Sequence, residues 1–283
     1  MVLLGSIDKK NKNIRYSLFR MFKALNKTVQ NTLNPAFLFI SALFIVYQAA
    51  LYLVFFEFFD LVPKFFYDTF VLANNLNASF FDAAFAFAVA NFDALIVLAV
   101  LSILWIAGYV WLLFCFTKIK HEKIPMINAL VMTGKYITRI IGLSFFYWIL
   151  VLLFALIGLF IVFVGVFLGG LELLFYLLFL IWLVIGTVLY LKLIFLPIIF
   201  FSEDKKIRES IRETNEWGKK KLLHVVLIML ITSVVSTVIG EAAIFLSELT
   251  SIELVSIIIF FLALTVTSSF SGLFLTNYYF LTK

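Results

Sequence analysis

Cysteine is almost absent from this sequence: Cys115 is the single one in 283 residues, so no intrachain disulfide can form and the redox compartment stays open. The two histidines, His121 and His224, stand alone at the ends of apolar runs, and headgroup or backbone partners suit them better than catalysis. There is no paired Cys/His metal spacing, no phosphate-binding glycine loop, no G-x-S-x-G and no H-E-x-x-H. Without a catalytic constellation, the expectation is a protein that is not an enzyme and carries no cofactor. Charge is also scarce. Asp, Glu, Lys and Arg make up 13% of the chain, against about a quarter in ordinary soluble domains. No polar stretch is long enough to build a soluble domain, so residues 1–283 read as a single membrane domain. The opening MVLLG meets Asp8, Lys9 and Lys10 at once, too soon for the apolar core of a cleavable signal, and the first span is expected to do the targeting.

Hydrophobic residues fill the space, at 64% of the chain. They come in runs longer than the roughly 18 residues that mark a spanning helix. Six spans are predicted, at about 36–58, 94–117, 140–168, 171–201, 222–247 and 254–281. Pro197 is expected to kink or end the fourth. The net charge of +6 is concentrated at the ends of these runs, which topology and lipid headgroups explain, so nucleic acid is not an expected partner. Lys9, Lys10, Lys12, Arg15, Arg20, Lys23 and Lys27 precede the first span, and Lys118, Lys120, Lys123, Lys135 and Arg139 sit between the second and third. Lys205, Lys206, Arg208, Arg212, Lys219, Lys220 and Lys221 lie between the fourth and fifth. Of Lys and Arg, the first connection has only Lys64, while the third and fifth have none and offer Glu172, Glu248 and Glu253. By the positive-inside rule both termini are cytoplasmic and the protein is a multi-pass component of the cell membrane.

Each basic segment also reads as a short amphipathic helix at the membrane surface. In the first, Ile14, Leu18, Met21, Phe22, Leu25, Val29 and Leu33 recur at helical spacing. The second starts at Pro125 and is expected to stop at Gly134. The third is bounded by Ser202 as N-cap and Gly218 as stop. Residues 122–158 overlay 204–240 with one insertion, which suggests three units of surface helix plus transmembrane hairpin. In the connection 59–91, Asn77-Ala78-Ser79 is a glycosylation sequon on the permitted side.

Polar residues inside spans are the leads to function, because hydrocarbon penalises them. Lys192 in the fourth span either snorkels toward inner headgroups or anchors an anion, with Thr276 and Asn277 of the sixth span as candidates for the same site. Ser233 and Thr237 of the fifth span and Ser268 and Ser269 of the sixth lie at similar depth. They serve either close helix packing or a polar pathway. The run YLKLIFLPIIFFSEDKKIRESIRETNEWGKKKLLHVVLIMLI at 190–231 combines Lys192, Pro197, Glu203, Ser210 and Gly218, and with Asn34-Pro35 it resembles the membrane domain attached to some glycerophosphodiester phosphodiesterases and related bacterial and archaeal membrane proteins. In phosphodiesterases of that kind the chemistry belongs to a separate soluble barrel, so the resemblance implies a membrane module and carries over no catalytic residue. Two readings follow: a scaffold or accessory module whose partners are membrane lipids and a protein at the cytoplasmic helices, or a small transporter or lipid-handling permease.

Overall fold

A computed structural model describes residues 19–56, 89–167, 172–250 and 252–283. All regular structure among them is α-helical. A first helix, α1, covers 19–32 and breaks at Asn34, whose Oδ1 accepts a bond from the Ala36 N–H at 3.0 Å and so caps α2, Pro35–Phe56. The remaining helices are α3 Phe92–His121, α4 Met126–Phe167, α5 Glu172–Leu193, α6 Leu196–Ser202, α7 Ile207–Glu248 and α8 Glu253–Thr282. Six of the helices are long and apolar enough to cross a membrane, making this an all-α, multi-pass membrane protein. The connection holding Asn77 lies outside the described residues.

The central feature is at the basic end of the bundle. Leu112–Lys118 of α3, Ile194–Phe201 across α6, and Gly272–Tyr279 of α8 are buried without interruption, on every face of the helix. A helix hydrophobic and buried all round must be surrounded by protein. These three stretches converge to form a plug in which Phe114 meets Phe201 edge-on at 5.0 Å and Phe195 approaches Tyr278 at 6.3 Å. Gly272 is required there, since a Cβ would lie 2.6 Å from the Phe116 ring. Around the plug the spans close a ring in chain order, α2, α3, α4, α5, α7 and α8, with α8 returning to α2. Away from the plug burial falls off, and large apolar side chains such as Leu180, Val234 and Leu262 are exposed, as suits a surface that meets lipid.

Charged side chains lock the plug at its rim. Arg139 pairs with Asp204, donates to the Lys205 carbonyl at 2.7 Å and lies 4.6 Å from the Phe200 ring. Glu203 takes Lys205 and Lys283, and Lys205 also reaches Glu213. The buried ammonium of Lys118 is matched by Glu122 and sits 5.0 Å over Tyr136. A buried charge persists only with such partners.

Three expectations are corrected. Gly134 and Gly218 end nothing: α4 and α7 each run 42 residues without a break, about 63 Å at 1.5 Å per residue, twice the roughly 30 Å of hydrocarbon. The amphipathic segments at 124–133 and 203–217 are therefore largely the protruding first turns of spanning helices. Helix termination at glycine requires a left-handed residue, and that conformation belongs instead to Lys123 (φ 53°) and Asp204 (φ 54°), each three residues before a long helix. Ser202 ends α6 and bonds back to the Ile199 carbonyl, leaving Lys206 as the N-cap. The matched loops and equal helix lengths support the repeat of the second and third units. The first departs from it by breaking at Asn34. Its α1 is not simply laid on lipid either: Met21, Ala24 and Thr28 are buried against protein, while Phe22, Val29 and Leu33 stay exposed. The Asn277 amide donates to the Thr28 hydroxyl at 3.0 Å and the Ser269 hydroxyl to the Thr32 carbonyl at 3.1 Å, fastening α1 to α8.

The two glycines in the long helices predict opposite results. Nothing lies within 4 Å of a Cβ at Gly134, so Gly134→Ala is expected to stabilise by about 1 kcal/mol through helix propensity. A Cβ at Gly218 would meet Lys192 Cγ at 3.2 Å, so Gly218→Val is expected to force α5 and α7 apart at a cost of about 1–3 kcal/mol. Thermal unfolding in detergent reads both, and a destabilised Gly134→Ala would restore the helix end there.

Candidate functional site

Beside the plug the spans border an open cavity of about 820 Å³, within the range of about 300–1,000 Å³ typical of ligand sites. α2 contributes Phe44, Gln48 and Tyr52, α3 contributes Trp105 and Tyr109, α4 contributes Tyr147 and Val151, and α5 and α8 add Tyr190 and Leu264. Tyr52, Trp105, Val151, Tyr190 and Leu264 are each well exposed, so the cavity is open rather than sealed. A second recess of about 470 Å³ shares Tyr52, Trp105, Ile106 and Val151 with it and extends it between α2, α3 and α4 toward Ser102 and Ala155. No carboxylate, ammonium, guanidinium or imidazole lines either space among the described residues. Both suit an apolar occupant.

The floor is a broken helix. α5 stops at Leu193, Ile194 and Phe195 turn, and α6 resumes at Leu196 with Pro197 in its first turn. Pro197 has no N–H, so the Leu193 carbonyl four residues earlier loses its helical partner. The Tyr147 hydroxyl replaces it at 2.6 Å. Non-helical backbone at membrane depth is tolerated only where protein or a cavity receives it, and here Tyr147 and Ile194 also line the cavity.

Gln48 is the most polar side chain in the wall. It is only 8% exposed and its Nε2 donates to the Trp105 carbonyl at 3.0 Å. Gly108 makes room for this contact, because a Cβ there would lie 2.7 Å from Gln48 Nε2. Tyr47 beside it spends its hydroxyl on the Leu104 carbonyl at 2.8 Å. Gln48 Oε1 is buried and accepts no bond from any described residue.

The residues singled out from sequence are distributed differently. Lys192 is half-buried on α5 against Gly218 of α7 and makes no ion pair among the described residues. Thr276 is bonded to Gly272 of its own helix, and Asn277 and Ser269 hold α1. No hydrogen bond joins any of them to Lys192. Ser268 is half-buried, Ser269 is buried, and Ser233 and Thr237 are exposed on α7. The cavity's own residues were passed over because uncharged Gln48 and the mid-span tyrosines do not register on a charge scan. Gln48 in an otherwise apolar run was the available signal.

The floor generates a test. Tyr147→Phe leaves the Leu193 carbonyl unpaired and is expected to cost about 1–3 kcal/mol, whereas in a Pro197→Ala background the restored N–H reduces that cost. Equal costs in both backgrounds, measured by unfolding in detergent, would sever the link between Tyr147 and the proline break. Comparison of the chain with family models, with curated proteins and with solved structures returned no match.

Proposed function

We propose that this protein is a lipid-handling membrane module that takes a single hydrophobic chain from the bilayer into the cavity beside the plug. The observation that carries the reading is a cavity of about 820 Å³ within the ring of spans, lined by no charged side chain among the described residues. Burial of apolar surface drives occupation. Little else is offered, since the lining holds no acid or base beyond phenols. The recess shared with the cavity along α2, α3 and α4 supplies a lateral route of entry for a chain already in the membrane. Of the two readings open to the sequence, scaffold and lipid-handling permease, the cavity favours the second, with Gln48 and the tyrosines in place of Lys192 at its centre. The basic rim faces the cytoplasm of the cell membrane in this reading, where Lys and Arg are retained and anionic headgroups attract them.

Filling the space is the direct test. Ala49 lines the cavity and its side chain is exposed there. Wild-type protein purified in mild detergent is expected to retain lipid that mass spectrometry detects after exhaustive detergent exchange. Ala49→Trp is expected to retain several-fold less at an unchanged thermal midpoint. An equally loaded Ala49→Trp protein would remove the cavity from the account.

A further inference from the structure

We infer that the occupant is a neutral lipid bearing a carbonyl group, whose oxygen accepts hydrogen bonds from the Tyr109 and Tyr190 hydroxyls in the cavity wall. The inference rests on the reading that the cavity holds a hydrophobic chain, and it adds the polar chemistry that selects among such chains.

Three phenols come together beside the helix break. Tyr109 of α3, Tyr147 of α4 and Tyr190 of α5 all line the cavity, and each hydroxyl lies close enough to the other two to interact with them electrostatically. Tyr147 spends its proton on the Leu193 carbonyl at 2.6 Å. Tyr109 and Tyr190 have no hydrogen-bond partner among the described residues. Both are reachable from the cavity: Tyr190 is 56% exposed, Tyr109 is half-buried, and neither hydroxyl is sealed off by its neighbours as Gln48 Oε1 is. Tyr109 stands nine residues before Lys118, about 14 Å inside the rim at 1.5 Å per residue and so deep within about 30 Å of hydrocarbon. At that depth an unanswered hydroxyl carries a desolvation cost that a partner removes.

The wall also sets what the partner can be. Its reachable unpaired groups bring protons: the two phenols and, one turn from Tyr109 on α3, the Trp105 indole N–H, which cannot accept. A carbonyl oxygen is their complement, with two lone pairs and no proton of its own, so it can take a bond from each phenol. With no cation among the described lining residues, a phosphate or an ionised carboxylate would enter hydrocarbon depth uncompensated. A plain hydrocarbon fills the space and leaves both hydroxyls unanswered. An ester or a ketone on a long apolar body satisfies both requirements. Sites that hydrogen-bond a polar group discriminate against analogues without it because the site's own polar atoms are then stranded.

The test uses full-length protein in detergent micelles with four dibrominated probes built on one long alkyl chain: the methyl ester, the methyl ketone, the alkane, and the carboxylate at mildly alkaline pH. Bromine quenches tryptophan at contact, and the relevant signal is the part of the quenching that Trp105→Phe removes, since Trp105 lines the same cavity. The ester and the ketone are expected to half-quench at about tenfold lower mole fraction than the alkane, the worth of one hydrogen bond, and the carboxylate is expected to be the weakest of the four. An advantage for only one of the two carbonyl probes upholds the inference and tells ester from ketone as the source. Tyr109→Phe combined with Tyr190→Phe is expected to bring the carbonyl probes level with the alkane while leaving the alkane unchanged, which also shows that the variant is folded. A carbonyl advantage that survives the loss of both phenols overturns the assignment to them. Equal carbonyl and alkane quenching in the wild type overturns the preference but leaves the cavity reading intact, and so does carboxylate binding tighter than both carbonyl probes. If no probe quenches Trp105, the cavity reading falls and this inference falls with it. Should the double variant fail to fold, Tyr190→Phe on its exposed side chain is read instead: a several-fold loss confined to the carbonyl probes is expected, and no loss overturns the inference.

Discussion

Three helix ends buried on every face set the terms for everything else in this protein. Leu112–Lys118, Ile194–Phe201 and Gly272–Tyr279 come from the second, fourth and sixth spans, and each must be surrounded by protein. Aromatic contacts such as Phe114 with Phe201 fill the space between them. The ion pairs of Arg139 and Glu203 then fasten the rim, while Glu122 answers the buried Lys118. Protein interiors pack at close to the density of organic crystals and transmit strain, so three stretches buried against one another are expected to behave as one unit.

The cavity is the counterpart of that convergence. Helices drawn together at one end and arranged as a ring leave space at the other, and no hydrophobic force closes it because lipid tails are as apolar as the side chains. The bilayer adds a second condition, that every backbone group at depth be satisfied. At the break between α5 and α6 this condition explains why Tyr147 lies where it does: it answers the carbonyl that Pro197 leaves open. Gln48 answers a different demand, bracing α2 against the Trp105 carbonyl. A cavity with an apolar wall suits an occupant with a long apolar body, which is the support it gives to the proposed lipid-handling role.

Much of this was legible in advance and some of it was not. Hydrophobic run length located the six spans because hydrocarbon thickness leaves few alternatives, and the proline at 197 announced a break. Glycine misled at 134 and 218. A glycine can end a helix or admit a neighbour, and only the neighbour decides; Lys192 packs against Gly218 and nothing approaches Gly134. Lys192 drew attention because charge is rare in a span, yet Thr276 and Asn277 serve the seam with α1 instead. Ser233 and Thr237 are exposed whereas Ser269 is buried, a difference that similar depth along the spans does not reveal. The cavity was invisible to all of these signals. Its lining is drawn from five spans, and its character lies in which side chains converge, a property of packing that one-dimensional spacing does not encode.

The plug can be questioned through the one native thiol. Cys115 is fully buried in the middle of the Leu112–Lys118 stretch, packed with the cluster that includes Phe114 and Leu196. If the three helix ends form a closed, cooperative unit, alkylation of Cys115 by N-ethylmaleimide in native protein should be very slow. It should accelerate only as the whole protein unfolds, with the same dependence on temperature. Modification at the rate of an exposed thiol under native conditions would contradict the plug, and with it the closed floor on which the cavity rests.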